Sequence, residues 1–108
     1  KAAHAARDEG DNAIYHALDD MQWFRTKEWE RVSPLLGKVK TTVTIVNSGT
    51  QHNVIPDQCT FTVDVRSNEL YSNQELFQLI CQEVKSEVKA RSFRLNSSSI
   101  STSHPIGH

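Results

Sequence analysis

Residues 59–66, CTFTVDVR, alternate without a slip. Cys59, Phe61, Val63 and Val65 take every second position, and Thr60, Thr62, Asp64 and Arg66 lie between them. Only an extended strand sorts such a period into one apolar and one polar face. One face therefore belongs to a core and the other is open. Upstream, TTVTIVNSG at 41–49 is rich in β-branched residues, which suit a strand. Its spacing puts Val43 and Ile45 on one face and Thr42, Thr44 and Val46 on the other. The two strands are expected to pair antiparallel across a long loop containing the turn-forming run Asn53-Val54-Ile55-Pro56-Asp57.

Helical patterns flank this pair. Ile14, Ala17, Leu18, Met21 and Phe24 recur at three- and four-residue spacing, which predicts a helix from about Asp11 to Arg25, with Asp8, Glu9 and Asp11 near its positive end. TKEWERVSPLLGKVK (26–40) holds Pro34 and Gly37 after a short helical turn around Trp29 and reads as a packed connection. Ser72-Asn73-Gln74-Glu75 has capping-box spacing, with Ser72 accepting from the first turn and Glu75 reaching back. The apolar stripe Leu76, Ile80, Val84 and Val88 follows. RSFRLNSSSIS (91–101) alternates through Phe93 and Leu95 before dissolving into serines, so a last, edge strand is expected there, and SHPIGH reads as an exit peptide.

The order helix, strand, strand, helix, strand is the ferredoxin-like α+β pattern without its opening strand: an antiparallel sheet with two helices on one face. The missing strand would lie mid-sheet, so its absence should leave a gap or force a rearrangement. The 108 residues fit one domain. Twelve basic against thirteen acidic residues give a net charge of −1, without the basic excess that nucleic acid or anionic membranes call for. No apolar run approaches the roughly 20 residues needed to span a bilayer, and the chain reads as cytoplasmic. Cys59 and Cys81 form no Cys-x-x-Cys pair and read as reduced core thiols. Lys1 in first position suggests a piece of a longer polypeptide.

HAARDEGDNAIYHAL (4–18), followed by NVIPDQCTFTVDVR (53–66), resembles the dimerisation, or lid, domain of the zinc-dependent aminoacylase and carboxypeptidase family, over roughly residues 1–95. That family includes acetylornithine deacetylase and succinyl-diaminopimelate desuccinylase. The resemblance implies that residues 1–108 are a single lid from a larger two-domain metallohydrolase. Its zinc sits in a separate catalytic domain, and no cofactor is expected in this chain. It further implies a homodimer through an edge strand and the first helix, acting on N-acyl amino acids, with an acetylornithine deacetylase-like parent preferred. The isolated chain is expected to be inactive.

By position in the family motifs, His4 would reach into the partner subunit's active site and donate to the scissile carbonyl oxygen as negative charge develops. Asn53 and Arg66 would hold the substrate's free carboxylate, a task suited to the planar guanidinium fork. Without the resemblance these three read as a helix-entrance histidine, a turn former and a solvated strand end. Arg7, His16 and His52 read as surface residues, and His104 and His108 lie too far from any carboxylate cluster to form a zinc set. Two other functions fit the pattern: a stand-alone structural or ligand-binding dimerisation module, and an RNA-binding module. The second needs aromatic residues on the open sheet face, where Thr60, Thr62, Asp64 and Arg66 offer none.

Overall fold

The computed structural model describes the backbone of residues 3–4, 11–94 and 97–105, and the side chains of residues 11–91 and 98–103. The elements are β1 (Ala3–His4), α1 (Ala13–Thr26), β2 (Lys40–Ser48), β3 (Val54–Ile55), β4 (Gln58–Arg66), α2 (Asn73–Glu83), β5 (Glu87–Arg94) and β6 (Ser97–Pro105). Four strands form an antiparallel sheet in the order β2-β4-β6-β5, with α1 and α2 packed on one face. The α+β, two-helix architecture read from the pattern is the one observed. β1 and β3 form a separate short ribbon.

The apolar half of β4 makes the floor of the core. Cys59, Phe61 and Val63 are fully buried, beneath Ala13, Ala17 and Phe24 of α1 and Leu76 and Ile80 of α2. α1 starts at Asn12, whose side chain accepts from the Ile14 amide at 2.9 Å. Its buried stripe is Ala13, Ala17, Asp20 and Phe24, rotated from the predicted one, and Leu18 is exposed. α2 is capped by Ser72 as expected, the Glu75 amide donating to its hydroxyl at 3.0 Å. Glu75 does not reach back, because its carboxylate accepts from Arg31 at 2.9 Å.

The helical stripe also stops earlier than its spacing suggested. Asp20, buried on α1, accepts from the amides of Lys85 and Ser86 and from the Ser86 hydroxyl. These bonds turn the chain out of α2, so Val84 becomes its C-cap and Val88 lies in β5. No helical turn forms at Trp29, which is buried in an extended connection. In β2 a bulge between Val43 and Ile45 reverses the parity of the faces. Val43 and Val46 therefore share the helix side, opposite Val63 and Phe61, and Ile45 points to the open side, opposite Thr62.

The largest departure is the serine run. Ser97–Pro105 does not dissolve: it forms β6, paired antiparallel with β4 on one side and β5 on the other. It takes the mid-sheet position where the sequence pattern predicted a gap, and the edges of the sheet are β2 and β5.

Candidate functional site

α1 and β4 run the same way along the molecule. The Ala13 amide donates to the Pro56 carbonyl at 3.2 Å at one end, and Thr41 donates to the Phe24 carbonyl at 2.9 Å near the other. β4 spans nine residues, eight steps of about 3.3 Å, so its ends lie roughly 26 Å apart.

The predicted site residues divide between these ends. The backbone of His4 pairs with Val54, the neighbour of Asn53, so those two come together at the Gln58 end. The imidazole of His4 lies outside the described side chains, as do Ala2, Ala5, Ala6, Arg7 and His108 altogether. Asn53 is half-buried in a turn opened by Gly49, which takes a positive φ of 85°. Arg66 closes the opposite end of β4, exposed and paired across the sheet with Lys40. Its Nε donates to Asp64 at 3.0 Å. One protomer thus does not bring Arg66 to Asn53.

Other predicted positions are quieter. His16 faces Asp11 at 3.4 Å, and His52 is exposed. Among the described residues no three His, Cys, Asp or Glu side chains converge on a metal position, so these residues do not fit zinc. Cys59 is a buried thiol whose pKa burial pushes up. Cys81 is exposed on α2, one position past the buried Ile80, and is not the core thiol expected. No described helix is long and apolar enough to cross a membrane.

Two surface features bear on assembly. Trp23, Phe24, Trp29, Phe61 and Tyr71 pack edge to face at 5.0–6.0 Å within the protomer. These rings therefore pack on one another inside the protomer. Large apolar side chains are exposed along the β2 edge, at Ile45 and Val46, on the neighbouring α1, at Tyr15 and Leu18, and in the loops at Val32, Leu35, Leu36 and Leu70. Between β2 and α1 a groove of about 390 Å³ is lined by Met21, Arg25, Thr41, Thr42 and Val43.

Sequence reasoning missed the polar residues that fix the loops. Asn68 is buried and donates to the carbonyls of Arg31 and Gly37, and Ser33 is buried and donates to Glu69. The sequence signal was legible only for Asp20, a charge on a buried helical stripe.

The two-layer sandwich leaves β2 as an edge strand with unpaired backbone groups beside an exposed face of α1. The chain belongs to the M20 peptidase dimerisation domain family, whose model matches residues 1–92. Comparison with curated proteins found no match.

Proposed function

We propose that this chain is the dimerisation and substrate-binding lid of a zinc-dependent amidohydrolase that deacylates N-acyl amino acids, of the acetylornithine deacetylase kind. The observation that carries the reading is the separation of Arg66 from His4 and Asn53 along β4. Antiparallel pairing of β2 with a partner's β2 reverses the ends. The Lys40–Arg66 end of one protomer then meets the partner's end that bears its His4 and Asn53, and each two-fold dimer carries two such composite sites.

In such a parent, zinc chemistry in a separate domain supplies the attacking water, and this chain's part is to bind and orient. Arg66 leaves Asp64 to hold the substrate carboxylate with Asn53 from the other protomer. The imidazole of His4 donates to the carbonyl oxygen as charge builds on it, a contribution of about 10²- to 10³-fold in kcat.

Complementation tests this in the full-length parent. Arg66→Ala and His4→Ala should each be nearly inactive, and random mixing should restore about one quarter of the parental sites, because each mixed dimer keeps one site free of both changes. His4→Ala with Asn53→Ala should not complement. Failure of the first mixture to recover activity would show that one protomer supplies all three residues.

A further inference from the structure

Arg66, the proposed ligand of the substrate carboxylate, already holds a carboxylate of its own strand. Its Nε donates to Asp64 at 3.0 Å, on the same open face of β4. The Asp64 side chain is 35% exposed and that of Arg66 65%, so the acid is the more desolvated half of the pair. When Arg66 turns to a substrate, Asp64 is left as a bare carboxylate beside the place where a second carboxylate must arrive. Like charges so close repel, and binding bears that cost unless another cation takes the acid over.

One cation stands in position to do so. Lys40 is the Cα partner of Arg66 across the β2–β4 ladder, and directly opposite residues share a face of the sheet. Val39 before it is buried, and Thr41 after it donates to the Phe24 carbonyl, so Lys40 lies between two helix-side residues and belongs to the open face. Asp64 is opposite Thr42, which makes Lys40 its diagonal neighbour, at roughly 7–8 Å and within reach of a four-carbon stem. Two cations placed directly opposite destabilise a ladder. Even so, Lys40 has no ion partner among the described residues. Asp64 is taken by Arg66, and Glu28, which borders the same cleft as Lys40, is taken by Lys38 at 3.5 Å. One acid thus lies within reach of two cations and serves only one of them.

We propose that Lys40 is a positioning residue for carboxylate binding: as Arg66 leaves Asp64 for the substrate, the Lys40 ammonium takes up Asp64. The acid is neutralised in both states, and no bond or proton is transferred. The direction of the exchange follows from the two cations. An ammonium is a point charge that can meet Asp64 from any side, whereas the planar guanidinium fork is better used on the substrate, where it can bind both oxygens at once. The inference rests on Arg66 as the ligand of the substrate carboxylate, and the test separates the two.

The first experiment is a crystal structure of the 108-residue chain carrying Arg66→Ala, which imitates departure of the guanidinium. The Lys40 Nζ should lie within about 4 Å of an Asp64 carboxylate oxygen. An ammonium that stays away from Asp64 overturns the exchange. The second is steady-state kinetics of the full-length parent on N-acetylornithine and its methyl ester. Lys40→Met should raise KM for the free acid about 3- to 5-fold, the upper range for one exposed ion pair, with kcat altered by less than about twofold. KM for the ester should not move, and Lys40→Arg should restore the parental value. In an Asp64→Asn background Lys40→Met should have no effect, because no acid remains to neutralise. An equal rise in that background would mean that Lys40 acts on the substrate directly, and no rise in either background would make it a plain surface charge; each result sinks the exchange and leaves Arg66 in its role. If Arg66→Ala does not raise KM for the free acid, the carboxylate reading of Arg66 itself is wrong and the exchange falls with it.

Discussion

β4 and β6 lie side by side in the middle of the same sheet, beneath the same helices, and are built from opposite chemistries. β4 sends Cys59, Phe61, Val63 and Val65 toward the helices, whereas β6 sends Ser98, Ile100 and Thr102. Both sets are buried. The hydroxyls tolerate this because they find acceptors: Thr102 donates to the Phe61 carbonyl at 3.0 Å, and Ser98 to the side-chain oxygen of Asn73 at 3.4 Å. Depth of burial is thus set by the neighbours a strand pairs with. An apolar period reports only how much that burial stabilises.

The sharpest way to break the comparison is to empty the β4 side. Phe61→Ala should lower unfolding free energy by about 3–5 kcal/mol in urea titration, since it removes a ring packed edge to face against Phe24. Ile100→Ala removes the single large apolar group that β6 contributes and should cost about 2–3 kcal/mol, the lower part of the range for such truncations. Thr102→Val should stay within about 1 kcal/mol of the parent, gained apolar contact offsetting one lost hydrogen bond. If Thr102→Val cost as much as Ile100→Ala, the hydroxyls and not the two ladders would be what holds β6.

The smallest effect is local and pH-dependent. The Ser33 hydroxyl holds the Glu69 carboxyl below its ordinary 4.5, and Arg31 does the same for Glu75. A folded-state pKa lowered in this way favours the folded loop above the ordinary value, and the contribution fades as pH falls through the lowered one. The amides of Leu35 and Leu36 donate to that Ser33 hydroxyl at 3.1 and 3.0 Å. Their exchange protection should therefore decline below pH 4.5 while that of β4 does not. Equal loss in both would mean that acid acts on the whole fold and not on the Ser33–Glu69 contact.

What was legible in the sequence follows from the same contrast. β4, the Ser72 cap and the presence of both helices announce themselves because apolar period and capping chemistry are local signals, whereas the buried face of α1 is rotated from its apolar spacing by Asp20. The bulge at Val43–Ile45 is not local: it answers the register of β4, and it moved Val46 to the helix side. Glu75 had a plausible partner in its own turn, but the winning partner, Arg31, lies far away in sequence. Asn68 and Ser33 look like ordinary loop residues until the two loops meet. At the candidate site, His4, Asn53 and Arg66 were named from motifs. The separation of Asn53 from Arg66 was implicit in the full strand between them, although their motif roles suggested a single cluster.

The position of β6 also fixes an order of events. β4 is laid down well before its central neighbour, and Gln58 must wait for Pro105, and Arg66 for Ser97, before their ladder can form. Synthesis from the amino terminus delivers β6 after every other described element. Until then β4 has only β2 beside it among the described strands, and β5 has no described strand to join it to the sheet. Closing such distant pairs is entropically slow. Among the described strands, completion of the sheet is therefore a late step, and β5 has no way to join β4 in a chain that stops before Ser97.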